Sequence, residues 1–189
     1  MLSSVMSRLN DRRDGAADLG EDAGFTLIEL MVVLLILAIL LAIAIPTFLG
    51  VTGGANDRAA QSNLNTAITT AKAAAANNNQ TYSGVDLTTL SSNEPSIKWT
   101  SGNVYGNQGQ VSAAFSSDGQ GVVLASYSKN NNTCWYAADN QGKISAALVT
   151  GGYNGPDLPG VFYAHDSTGT CNASAATATQ ASWTSSFSG

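Results

Sequence analysis

Charge is scarce in this chain. Only 11% of its 189 residues are Asp, Glu, Lys or Arg, against roughly a quarter in ordinary soluble domains. The deficit is filled by Ala, Ser, Thr, Asn and Gly, a composition suited to a secreted β-rich or fibrous protein. Eight Lys and Arg face thirteen Asp and Glu, a formal charge of −5. No basic footprint for nucleic acid exists. A single histidine, His165, limits acid–base catalysis. Asp157 and Asp166 lie near it in sequence, but there is no nucleophile elbow around any serine. Phosphate-loop and dinucleotide fingerprints are also missing. Two cysteines, Cys134 and Cys171, are too few for a structural zinc site and are not spaced as CxxC. Outside the cytoplasm they would form one disulfide; in a reducing compartment they would be two buried thiols. Asp118, Asp139, Asn140 and Asp157 lack EF-hand spacing and read as turn formers.

One stretch is conspicuous for what it contains. Residues 1–24 are polar, with Arg8, Arg12 and Arg13 among five acids. A run then begins at Phe25, and Leu30 to Ile45 contains no polar residue. At 1.5 Å per residue, Phe25 to Ile45 makes a helix of roughly 32 Å, enough to cross a bilayer core. A helix apolar on every side belongs in a large core or in lipid, and this chain is too small to provide the core. A secretory signal would place a small-residue cleavage site after the apolar region; here the small residue, Gly24, precedes it. Three arginines precede the run and the next, Arg58, lies well beyond it. The positive-inside bias therefore predicts residues 1–24 in the cytoplasm and residues 47–189 outside.

Glu29 interrupts the apolar segment one helical turn after Phe25. A carboxylate there costs a few kcal/mol in hydrocarbon unless it snorkels or is paired. A cation from another molecule would neutralise it, and an α-amino group freed by cutting after Gly24 is the obvious source. The plainer reading is that Glu29 reaches the cytoplasmic interface.

Gly24-Phe25-Thr26-Leu27-Ile28-Glu29-Leu30, with the long apolar helix behind it and Pro46 at its end, resembles the processing site of bacterial type IV prepilins and type II secretion pseudopilins. The likeness covers roughly residues 21–50; beyond it, it is one of architecture. It implies a leader, residues 1–24, removed by a prepilin peptidase that cuts between Gly24 and Phe25 and methylates the Phe25 amine. It implies that Glu29 guides assembly by pairing with a neighbour's N-terminus. The implied partners are other copies of the chain in a helical filament, minor pilins, and an inner-membrane assembly platform with a cytoplasmic ATPase. No cofactor and no enzymatic activity are implied. The chain would cross the cytoplasmic membrane once before assembly, then lie in a surface pilus or, for a pseudopilin, in the periplasm.

The remainder fits an α+β fold of the pilin type: a long N-terminal helix packed on an antiparallel sheet of about four strands. Residues 25–46 form the transmembrane and filament-core helix. Residues 47–77 form an amphipathic stalk, kinked or broken near Pro46, Gly50, Gly53 and Gly54. Ala60, Leu64, Ala67, Ile68, Ala71 and Ala75 make one apolar stripe, and Asn77-Asn78-Asn79 stop the helix. Asp86 to Leu90 reads as a short helical turn. Strands are expected at Ser96–Trp99, Gln110–Phe115, Gly121–Tyr127, Thr133–Ala138 and Lys143–Leu148, with turns at Asp118-Gly119 and at Asp139 to Gly142. Residues 78–171 make the β-rich head. A Cys134–Cys171 bridge would close a C-terminal loop holding Tyr153, Pro156, Pro159 and His165, worth about 3–4 kcal/mol on the loop-entropy model. Disulfide-closed C-terminal regions are common in pilins. Residues 172–189, rich in Ser, Thr and Ala, are either a disordered tail or a segment docked by Trp183 and Phe187. Asn131 and Asn172 begin acceptor patterns for N-glycosylation.

Overall fold

Seven small or aliphatic residues spaced by three and four, Ala60, Leu64, Ala67, Ile68, Ala71, Ala74 and Ala75, are buried along one face of a helix. The computed structural model describes residues 25–144, 153–167, 169–176 and 183–187. In it helix α1 covers Leu27–Asn77 without interruption. Compactness divides the chain into two units, Met1–Thr47 and Phe48–Gly189. In the first, every apolar side chain from Phe25 to Ile45 is exposed. The second contains a folded head.

The head is built on one sheet. Among the described residues its strands are β1 (Lys98–Thr100), β2 (Gln110–Phe115), β3 (Gly121–Ser128), β4 (Thr133–Asn140) and β5 (Gly160–Asp166), adjacent in that order. Helix α2 (Leu87–Asn93) precedes β1 and starts at Asp86, whose carboxylate accepts from the Thr89 N–H. β2 through β5 are antiparallel neighbours. β1 runs parallel to β2, so the expectation of a wholly antiparallel sheet is corrected at that edge: the connection from β1 to β2 crosses over instead of turning back as a hairpin.

Alternation sorts the strand residues into two cores. Val111, Ala113, Val122, Leu124, Trp135 and Ala137 pack with the α1 stripe. Val123, Ala125, Tyr127, Cys134, Tyr136 and Ala138 face the other way and are covered by Tyr153, Cys171, Ala173, Ala176 and Trp183. With both faces covered, all eight residues of β3 are buried. The layers are therefore helix, sheet and C-terminal chain. Five alanines in the helical stripe let its backbone approach the sheet closely. The aromatic mass lies in the strands and in the C-terminal chain.

Several expectations are corrected. The anticipated turn from Asp139 to Gly142 is half strand, because Asp139 and Asn140 complete β4. Lys143 and Ile144 are not in a strand, and the rest of the expected strand to Leu148 lies outside the described residues. The region expected to be a disulfide-closed loop contains β5, which pairs with β4 from Asn140↔Gly160 to Cys134↔Asp166. The segment Trp183–Phe187 is docked and forms a bridge between Tyr163 and Thr184.

Candidate assembly site at the helix N-terminus

Helix α1 begins with a reciprocal cap. The Thr26 N–H and Oγ1 both donate to Glu29 Oε2, at 2.8 and 2.7 Å, and the Glu29 N–H donates to Thr26 Oγ1 at 3.3 Å. This capping box satisfies backbone donors that the first helical turn leaves without partners. Its signature, Thr-x-x-Glu, is present at residues 26–29. Thr26 is therefore a functional residue of the site beside Glu29, and that signature is what marks it in the sequence. Both bonds from Thr26 go to one carboxylate oxygen, so Oε1 takes part in neither. The carboxylate also lies at the positive end of the helix dipole. Phe25 is 90% exposed and lies outside the helix. Gly24 lies outside the described residues.

Around this site the helix offers only hydrocarbon. Leu30, Leu34, Ile39, Leu41 and Ile45 are all more than half exposed. A helix this long and apolar is able to span a membrane. Transfer of such surface out of water contributes about 25 cal/mol per Å², which an isolated chain in water forgoes.

The four residues expected to bend the helix differ from one another. Pro46 lies within α1; it has no N–H for the Ala42 carbonyl. Next to it, Thr47 Oγ1 donates to the Ile43 carbonyl at 3.0 Å. Gly50 and Gly54 have open space where a Cβ would stand. Gly53 does not: a Cβ there would lie 2.6 Å from Asn130 Oδ1. Asn130 in turn donates to Asp57 Oδ2 at 2.5 Å, and Trp135 Nε1 donates to Asp57 Oδ1 at 3.1 Å. Gly53 thus leaves room for a side chain from the β3–β4 connection, which would have to shift if a Cβ were present.

Within the head, Cys134 and Cys171 are joined by a disulfide with a Cα–Cα distance of 5.3 Å, spanning a sequence separation of 37. Both sulfurs are buried in the second core. Backbone bonds hold the same strand of chain: the Val104 N–H donates to the Cys171 carbonyl, and the Cys171 N–H donates to Asn103 Oδ1. Asn172 Oδ1 accepts from Ser174 and from Ser112, so this glycosylation candidate is engaged within the fold.

The residues considered for catalysis or calcium have structural employment. Asp139 is buried, accepts from Tyr82 Oη and Gln141 Nε2 at 2.5 Å each, and lies 3.7 Å from Lys72 Nζ. Burial, and then Asp139 beside it, push the Tyr82 hydroxyl well above its ordinary pKa. Asn140 donates to the carbonyls of Pro156 and Leu158 and accepts from the Tyr153 hydroxyl, whose pKa burial also raises. His165 packs against Trp135 with ring centroids 4.7 Å apart and the rings tilted by 40°. Among the described residues no group of three His, Cys, Asp or Glu side chains is placed to hold a metal ion.

Residues 21–45 match the family model of the prokaryotic N-terminal methylation motif, the motif of type IV pilins and pseudopilins. No curated protein and no solved structure matched the chain.

Proposed function

We propose that this chain, which carries the N-methylation motif of type IV pilins and pseudopilins, is a prepilin that is polymerised into a type IV pilus. The observation that carries the reading is the sequence of features at residues 21–45: the motif, one carboxylate, and an apolar helix exposed on every side. A peptidase cuts between Gly24 and Phe25 and methylates the new amine. Phe25 lies outside the helix, next to the cut, in a position an active site can engage.

In the membrane the apolar helix is solvated by lipid, with residues 1–24 cytoplasmic and the head outside. The assembly platform and its ATPase extract it, and neighbouring helices then take over the burial. Glu29 sets the register. Its Oε2 is occupied by Thr26, and its Oε1 receives the Phe25 amine of another copy. In a low-dielectric filament core each such charge is costly unless paired, so a misplaced subunit leaves two uncompensated charges. The contact is head-to-tail and does not close, which gives a filament. The subunit's role is structural, with no catalysis of its own.

The same assembly physics serves a pseudopilin of a type II secretion system or a minor pilin. The disulfide-stapled head, covered on both sheet faces, favours a pilus subunit that meets the outside. In a membrane-anchored module that never polymerises, Glu29 would cap its own helix through Thr26 and have no cation to pair with. Glu29→Ala separates these. Cleavage of the leader is expected to persist, while filament recovered by shearing falls by about tenfold or more, the equivalent of a lost pairing of a few kcal/mol. Filaments in undiminished amount would remove the pairing role.

A further inference from the structure

The two edges of the sheet are protected differently. β1 is three residues long, carries the exposed Lys98 and follows Pro95; shortness and a charge are standard defences against strand addition. β5 follows Pro159 and ends at Asp166, but it is seven residues long, Gly160-Val161-Phe162-Tyr163-Ala164-His165-Asp166, with no Lys, Arg or Pro within it. Its outer edge would be an adhesive template by the same rule.

That edge is occupied by the chain's own C-terminal segment. The Tyr163 N–H donates to the Thr184 carbonyl and the Thr184 N–H to the Tyr163 carbonyl, each at 2.8 Å. Two rings flank this bridge on opposite faces of the sheet. Trp183 joins the second core, 6.4 Å from the Tyr136 ring. Phe187 packs against the helix-side core, 4.1 Å from Tyr163 and 5.8 Å from Trp135. The segment straddles the edge like a clip. The bridge shows which backbone groups of β5 face outward: those of Tyr163 and, by the two-residue period, Val161 and His165.

We propose that Trp183–Phe187 is an edge guard, and that the surface beneath it is a docking edge for β5 of a second copy of this chain. Without the guard, two β5 strands pair antiparallel about a two-fold axis, Tyr163 opposite Tyr163, a self-complementary contact. In a filament, whose copies all present the same edge, the guard suppresses lateral association. The inference rests on the head alone and stands whether or not the chain forms pili.

The test uses the full chain at one copy per lipid nanodisc, so that the apolar helices cannot associate, with particle mass followed by light scattering over a concentration series. The intact chain is expected to keep the single-disc mass. Deletion of residues 183–189 is expected to raise the mass towards twofold with concentration. Adding His165→Lys to the deletion, which puts a charge on the exposed edge, is expected to restore single discs. Should the deletion lose its near-ultraviolet circular dichroism, Thr184→Pro in the full-length chain decides: it removes the N–H that bonds Tyr163 and is expected to raise the mass partway. Single discs for both variants, or pairing that His165→Lys does not diminish, would overturn the proposal.

Discussion

Helix α1 contains two regions that solve opposite problems. From Leu30 to Ile45 it is apolar all round and exposed. From Ala60 to Ala75 it is apolar along a single stripe, and the stripe is buried. The second region finds its partner within its own chain, on the sheet. The first has hydrocarbon on every face, which no single packed face can cover. It requires lipid or a surrounding set of like helices. The difference teaches that membrane insertion and filament assembly are alternative answers to one burial requirement, while the amphipathic region belongs to the stability of the head.

Substitutions can break that comparison. Leu64 is fully buried in the stripe, and Leu64→Ala is expected to destabilise the head by about 2–5 kcal/mol. Leu34 is 56% exposed, and Leu34→Ala is expected to leave the head's unfolding transition unmoved. Urea denaturation of the detergent-solubilised chain, followed by tryptophan fluorescence, reads both. Equal effects would dissolve the distinction between the two regions.

Tyr82 tests the polar tie between the α1–α2 connection and the sheet at Asp139. Tyr82→Phe leaves Asp139 with Lys72 and Gln141 and is expected to cost about 1–3 kcal/mol at neutral pH. The raised pKa of Tyr82 and Tyr153 also fixes a sign. Their contribution is complete below the unfolded-state value of about 10. It is lost as pH rises above that value, because the unfolded tyrosines ionise while the folded ones hold their protons. The wild-type head should therefore weaken between pH 9 and pH 11, and Tyr82→Phe should weaken less over the same range. Parallel pH profiles for the two proteins would contradict the assignment.

The smallest effect concerns adjacent glycines. Gly54 has open space and lies in a helix, so Gly54→Ala is expected to stabilise by up to about 1 kcal/mol. Gly53→Ala meets Asn130 and disturbs its bond to Asp57, so the helical gain is expected to be cancelled or reversed. A matched pair of thermal melts shows whether the two glycines differ in sign.

Much of this was legible because it is written locally. The stripe from Ala60 to Ala75 follows helical spacing, β2 begins and ends at the expected Gln110 and Phe115, and Asp118-Gly119 turns with Gly119 at a φ of +70°. Glu29 stands out against its apolar neighbours. What escaped is non-local. β5 contains a run of four apolar residues, Val161 to Ala164, without alternation, and is a strand because β4 lies beside it. Gly53 looks like its neighbours until Asn130, far along the chain, is brought over it. Trp183 and Phe187 are four residues apart, a helical spacing, yet they clasp opposite faces of a sheet edge. Thr26 and Glu29 carry the Thr-x-x-Glu signature of a capping box, which is legible in the sequence.

The most direct test of the central claim is intact mass, with N-terminal peptide sequencing by mass spectrometry, on filaments sheared from intact cells. The expected result is an abundant chain that begins at N-methylated Phe25, lacks residues 1–24, and is lighter by two hydrogens for the Cys134–Cys171 bond. A chain that retains residues 1–24, or that begins anywhere other than Phe25, would contradict it.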